Sequence, residues 1–403
     1  LIPVDRTRLA FYLTFAAVVA SLASIAASQI LLGAAAATLL LRRERWHWPP
    51  LLWPLAGFLL WTFLSLAASP DPWGGRAQIR KLVLFATLAL VVTTFRSIRQ
   101  VRWLVVAMTG MMTLSALWSL VQFAKKYVAA QSSGRPFYDY YVGERITGFM
   151  SHWMTLGGLE MMVLLLGAAV WMGARDWPKR HWLLPAFALI LVSLLVGFTR
   201  SIWLGTAVGG LYLIWQWKRW MVLVTPVPIA LLLMANPAAI RERAWSAFEP
   251  KGDLDSNQFR VVCRRTGWEM IKAHPWFGVG PMQVQKQFDR FVPADIPKPL
   301  PTGWYGHLHN VYVHYAAERG LPALLFLMWW LAGMGWHVWR GARVATGEPR
   351  WLLHGCVAIL LGTLATAFYE LNLGDSEVLT TFLATMACGF VVLRQPAVPA
   401  PVD

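Results

Sequence analysis

Long apolar runs recur along this chain from one end to the other, broken by short polar connections. They show neither the alternation of half-buried strands nor the one-sided apolar stripe of a surface helix. Runs of about 20 apolar residues match the length a helix needs to cross a bilayer. The pattern predicts twelve helices, at about residues 9–24, 27–41, 49–68, 81–95, 103–123, 152–173, 182–198, 201–216, 220–235, 321–339, 351–369 and 377–393. Arg6, Arg8 and the apolar stretch after them imitate a signal peptide, but the apolar run continues to Leu41 and reads better as two helices joined by a tight turn. The predicted fold class is an all-α polytopic membrane protein in three parts. Residues 1–235 hold spans one to nine with an extramembrane loop near 124–151. Residues 236–320 form a large loop between spans nine and ten. Residues 321–403 hold the last three spans and a short tail.

Composition agrees. Of 403 residues, 57% are hydrophobic and 14% are charged, where an average globular chain carries roughly 25% charged residues. This excludes a soluble enzyme, a disordered protein and a single-span receptor. The 24 Trp fit a chain with many bilayer interfaces. Cys263, Cys356 and Cys388 are far apart and form no CxxC pair, so neither a disulfide framework nor a zinc site is expected.

The net charge of +16 would suggest nucleic acid in a soluble protein, but here it is largely topological. One set of alternate connections holds 17 Lys and Arg, including Arg42, Arg43, Arg45, Arg96, Arg99, Arg102, Arg340, Arg343 and Arg394. The other set holds 9 once the long segment 236–307 is set aside, because long segments cross irrespective of charge. The expectation is a multi-pass protein of the bacterial inner membrane, with both termini cytoplasmic and 124–151 and 236–320 periplasmic. No nucleic-acid partner is expected.

Within 236–307, the stretch from Arg260 reads as a helix stopped near His274-Pro275 and followed by a glycine-flexible turn. The prolines of the stretch 292–306 deny it helix. Arg200 stands out because apolar sequence flanks it on both sides. It is open to two readings, an arginine snorkelling to the interface or a placed anion site, since guanidinium meets phosphate oxygens two-pronged. His307, His309 and His314 lie together before the tenth span. His309 and His314 are five apart, a poor match to the spacing that puts two imidazoles on one helical face, so a metal site is not expected. An imidazole acting as general base is the sharper reading. Arg145 and His152 bracket a turn containing Gly148, while Asp375 and Glu377 sit at the last outer turn, where capping acids are equally at home. Glu160, inside the sixth span, is an intramembrane carboxylate with no partner evident in the sequence.

Three elements in order resemble the O-antigen ligase family, membrane glycosyltransferases that join O-antigen to lipid A–core. They are Arg200-Ser201-x-Trp203 at a span junction, Arg260 fourteen residues before His274-Pro275-x-x-Gly278-x-Gly280, and His309-Asn310 followed by nine residues and Gly320. The last element departs from the family pattern at Ala323. The resemblance spans roughly residues 80–393, and the twelve-span layout with one large loop also looks like the family. It implies transfer of a glycan from undecaprenyl diphosphate to a sugar hydroxyl of lipid A–core, by an inverting mechanism needing neither metal nor cofactor. Partners are then the undecaprenyl-diphosphate-linked O-antigen, the lipid A–core acceptor and membrane lipids.

Such chemistry needs cations for the departing diphosphate and a base for the acceptor hydroxyl. Arg200 and Arg260 are the candidates for the diphosphate, assisted by Arg264 and Arg265. His309 is the candidate base, its ring fixed by Asn310 or a nearby carboxylate. Arg145, His152 and Asp375 are candidates for further substrate contacts. The related O-antigen polymerases and protein oligosaccharyltransferases are alternatives, although the polymerase's paired Arg-x10-Gly pattern occurs only once outside, from Arg241 to Gly252. A multispan transporter is the rival of a different class. It would show a repeat and midplane charges, and no repeat is visible.

Overall fold

The computed structural model describes residues 6–225, 238–246, 248–249 and 257–395, and every regular element among the described residues is helical. In chain order these are α1 (Arg6–Ala20), α2 (Ile25–Leu41), α3 (Leu52–Ala67), α4 (Pro72–Lys81), α5 (Ala86–Thr94), α6 (Ile98–Ser133), α7 (Phe137–Gly143), α8 (Trp153–Gly173) and α9 (Leu183–Val196). There follow α10 (Arg200–Trp217), α11 (Met221–Val224), α12 (Ala238–Trp245), α13 (Asn257–Ala273), α14 (Val284–Phe291), α15 (Val311–Arg319), α16 (Leu321–Val344), α17 (Gly347–Thr366) and α18 (Ser376–Leu393).

Six helical stretches among the described residues are long and apolar enough to cross a bilayer: Pro72–Thr94, Ile98–Ser133, Trp153–Gly173, Pro178–Val196, Leu321–Val344 and Ser376–Leu393. Three shorter apolar helices, Arg8–Ala20, Ile25–Leu41 and Leu52–Ala67, accompany them. The first two form the expected hairpin, with Ser24 capping α2 by accepting from the Ala27 amide at 3.3 Å. The predicted ninth span lies outside the described residues beyond Thr225. α6 runs to Ser133, ten residues past its expected end. Its apolar run ends earlier, but Lys125, Lys126 and Gln131 are good helix formers, so the helix continues past its apolar part.

α8, α17 and α18 are buried over most of their length and form the bundle's centre, and α10 packs one face against α17. Bare backbone lets α10 and α17 approach closely. A Cβ on Gly205 would come within 2.7 Å of the Gly362 carbonyl oxygen, and one on Gly209 within 2.7 Å of that of Ala358. Small residues at such crossings are how membrane helices gain packing where no hydrophobic drive separates helix from lipid.

Contacts sort the connections into two ends. At one, Arg102 Nε donates to Glu348 at 2.6 Å, Arg394 to the Val92 carbonyl at 3.0 Å, and Gln395 to the Arg96 carbonyl at 3.0 Å. At the other, the α9–α10 turn, α13, α15 and the connection 367–375 converge. There a second, smaller core gathers Phe259, Cys263, Met270, Val279, Phe288 and Leu308. α13 ends at Ala273, just before the predicted His274-Pro275 stop, and residues 292–310 carry no regular element. Cys263, Cys356 and Cys388 are buried free thiols.

Candidate active site

The three sequence elements each have a local structural logic. Arg200 opens α10 immediately after a tight turn in which Phe198 has φ of +50°, a left-handed conformation costly for a residue with a Cβ. Trp203 braces that turn, donating its indole N–H to the Leu194 carbonyl at 3.1 Å. The His274–Gly280 turn stitches α13 to its neighbours. The Val279 amide donates to the Ala317 carbonyl at 2.8 Å, the Gly280 amide to Glu318 at 2.9 Å, and the Leu321 amide to Pro275 at 2.8 Å. From α3, Trp61 and Ser65 donate to the Trp276 and Phe277 carbonyls at 2.8 and 2.6 Å. This turn is therefore a clamp that fixes α13 across the end of the bundle, and His274 itself is exposed.

α13 carries Arg260 inward. Its Nη2 donates to Glu370 Oε1 at 2.6 Å. The same oxygen accepts from Ser201 Oγ at 3.0 Å, so α10 and α13 share one carboxylate oxygen. Glu370 lies in the connection between α17 and α18 and is 2% exposed. Burial alone would raise its carboxyl, but Arg260, then the His309 side, hold it below the usual carboxylate range. His309 faces its other oxygen, with Nδ1 3.9 Å from Oε2. The His309 ring packs edge-on to Phe259 at 4.9 Å and against His307 at 4.0 Å, and its backbone φ is +48°. A non-glycine residue in this region costs about 1–3 kcal/mol, which the surrounding packing must hold in place.

The three histidines are now distinguishable. His307 is pushed down to about 2, by burial first and then by the neighbouring imidazoles, so it cannot accept a proton near neutrality. Its Nδ1 instead accepts from the His309 amide at 3.2 Å. His314 faces Glu318 at 3.6 Å in a separate network. Of the three, His309 alone is placed against Glu370.

Arg200 donates to Ser246 Oγ at 3.0 Å and to Asn257 Oδ1 at 2.6 Å. Arg145 is buried nearby, donating to the carbonyls of Val142 at 2.9 Å and Phe198 at 3.3 Å, with its guanidinium 4.6 Å over the Trp153 ring. Burial, then the charge of Arg243, bring it down to about 9. Its turn is held by Gln122 of α6, whose Oε1 accepts from the Thr147 and Gly148 amides at 3.0 and 2.9 Å. His152 caps α8, accepting from Met154 at 3.2 Å, and burial lowers its pKa while Glu370 acts to raise it.

Other predicted site residues fall elsewhere. Arg264 is exposed, and Arg265 is held by Asp295 at 2.8 Å on the surface, so neither reaches Glu370. Asn310 caps α15, accepting from Val313 at 2.9 Å and donating to the Phe368 carbonyl at 2.9 Å. It thus positions the chain two residues before Glu370, and its side chain makes no hydrogen bond to the His309 ring. Asp375 caps α18 and accepts from Thr155 at 2.5 Å, tying α18 to α8. Glu160 is fully buried within α8. Among the described residues, no group of three His, Cys, Asp or Glu side chains is arranged to hold a metal.

Glu370 is the residue the motifs missed. Its only sequence signal is a lone carboxylate at the end of an apolar run, in Phe368-Tyr369-Glu370-Leu371.

Taken together, the chain is a helical membrane protein with buried guanidinium groups, a carboxylate and an imidazole gathered at one end of its bundle. Residues 185–328 match the O-antigen ligase family, as the motif resemblance led us to expect. The matched stretch includes Arg200, Arg260 and His309, while Arg145 and Glu370 lie outside it. No curated protein matches the chain.

Proposed function

We propose that this protein is an O-antigen ligase, transferring a glycan from undecaprenyl diphosphate to a sugar hydroxyl of lipid A–core at the periplasmic face of the bacterial inner membrane. The observation that carries this reading is the Arg260–Glu370–His309 constellation, placed beside Arg200 where α10 meets α13. Departure of the diphosphate concentrates negative charge, and fixed guanidinium groups in a water-poor site stabilise it without reorganising. Arg200 and Arg260 take that role, with Arg145 a third cation on the same side. The acceptor oxygen attacks the anomeric carbon as the bond to the diphosphate oxygen breaks. Its proton passes to His309, and the bonding pair leaves with the diphosphate. Glu370 orients the imidazole and stabilises the imidazolium that forms, so Nδ1 is assigned the proton facing the carboxylate and Nε2 the basic role. No step of this scheme requires a metal ion.

The test is reconstitution. Purified protein, a polyprenyl-diphosphate-linked O-antigen and lipid A–core are incubated with EDTA. Glycan appearing on the core is the expected result. Lengthening of the carrier-linked glycan alone would identify a polymerase, and loss of transfer with EDTA that Mg²⁺ restores would refute the metal-free scheme. His309→Ala is expected to lower the rate by about 10²–10⁴-fold, the usual contribution of a general base, while the protein stays folded by circular dichroism.

A further inference from the structure

We propose that Glu370 is a switch between the two halves of the site: before the donor arrives it is held by Arg260, and donor diphosphate draws Arg260 away and frees the carboxylate for His309. This rests on the ligase reading and adds an order of events to it.

The two oxygens of Glu370 are unequally used. Oε1 takes both donors, Arg260 at 2.6 Å and Ser201 at 3.0 Å. Oε2 is buried, makes no hydrogen bond to a described residue, and stands 3.9 Å from His309 Nδ1, beyond hydrogen-bond reach. Neither ring nitrogen of His309 and not the Arg260 Nε makes one either, though all three atoms are buried. Unpaired buried polar atoms are costly, and four of them line one carboxylate–imidazole–guanidinium contact. The arrangement is one hydrogen bond short of a working base, and it is short at the atom pair that chemistry needs.

Arg260 is the cation placed to change this. Its side chain is about one-fifth exposed, while that of Glu370 is almost wholly buried, so the arginine can meet an entering anion and the carboxylate cannot follow. A diphosphate offers guanidinium a two-pronged partner with more charge than one carboxylate. Once Arg260 turns to it, Glu370 keeps only the neutral Ser201 hydroxyl. A buried carboxylate without a cation is unfavourable, and the groups facing it are His309, His152 and Arg145. Arg145 stays bound to the Val142 and Phe198 carbonyls, and His152 is committed as the cap of α8. The free oxygen therefore favours closure onto His309 Nδ1, which orients the ring and aims Nε2 at the acceptor hydroxyl when the donor is present. Without donor, the imidazole lacks its orienting hydrogen bond and is not spent on stray hydroxyls.

The test separates binding from turnover by measuring inorganic pyrophosphate affinity alongside glycan transfer. Glu370→Gln removes the competing charge, so pyrophosphate should bind about tenfold tighter while kcat falls by about 10²–10⁴-fold, the upper figure being the loss of a carboxylate that orients a catalytic imidazole. Glu370→Asp keeps the charge and should bind pyrophosphate within about threefold of the wild type, a control for packing. A residue that merely supported the fold would weaken binding and turnover together. Unchanged or weaker pyrophosphate binding by Glu370→Gln, or equal tightening in both variants, overturns the switch. Pyrophosphate affinity is read without transfer, so absence of glycan transfer by the wild type would refute the ligase reading separately.

Discussion

Arg200 Nη2 donates to Asn257 Oδ1 over 2.6 Å, and Asn257 is the first residue of α13, one turn before Arg260. The two guanidinium groups that the motifs single out, sixty residues apart, are thereby tied at one helix junction. The other arm of Arg200 reaches Ser246, which itself donates to the Arg243 carbonyl at 2.9 Å. One planar fork holds two acceptors on two segments, and an ammonium on a flexible stem has no such geometry. Arg200→Lys keeps the charge and is therefore informative. We expect kcat/KM for glycan transfer to fall about 10²-fold, with KM for the donor rising less than kcat falls. Wild-type kinetics from the lysine variant would show that charge alone is needed there.

The sequence carried the apolar helices and the order of the three motif elements because both are local. Hydropathy is read within about twenty residues, and each motif occupies one turn or helix start. What it hid is long-range. Glu370 meets Arg260 across 110 residues and Ser201 across 169, and nothing near Glu370 marks it apart from the capping acids Asp375 and Glu377. Helical spacing correctly placed Arg264 one turn from Arg260, but the face it shares turns outward there, and Arg265 found Asp295, thirty residues on. The glycines of the second motif read as a flexible turn, and Gly320 of the third carries no structural reading beyond its motif position. In the structure they are contact points, where backbone lies against backbone.

Gly320 shows that role. Its φ is +87°, and a Cβ there would run into the Trp276 carbonyl oxygen. A Cβ on Gly278, with φ of +68°, would run into the Glu318 backbone. Gly320→Ala must move the His274–Gly280 clamp away from α15, loosening the seat of α13 and with it Arg260. A destabilisation of about 1–3 kcal/mol follows from the φ alone. The expected result is a melting temperature lowered by several degrees and a matching loss of transfer. Gly210→Ala, where added bulk meets nothing within 4 Å, should leave both unchanged.

Glu318 gives the clearest pH dependence outside the proposed chemistry. It accepts from the Met282 amide at 3.0 Å and from Arg319 Nε at 3.0 Å, with His314 at 3.6 Å. Arg319 in turn lies 4.6 Å over the Tyr315 ring and reaches Thr62 at 3.4 Å. Burial alone would raise this carboxyl, but the charges of His314 and Arg319 hold it down at about 2. Its folded value thus lies below the ~4.3 of an unfolded glutamate. The linked stabilisation is complete above that unfolded value and is lost as pH falls through it towards about 2, amounting to about 3 kcal/mol in full. Glu318→Gln leaves Arg319 buried beside a neutral amide and should melt well below the wild type at pH 7. At pH 3 the unfolded glutamate is already protonated, so the gap between the two proteins should shrink to roughly half. Thermal melts of both proteins in detergent at the two pH values decide it. A gap of the same size at pH 3 and pH 7 would mean that the Glu318 carboxylate contributes nothing through its charge.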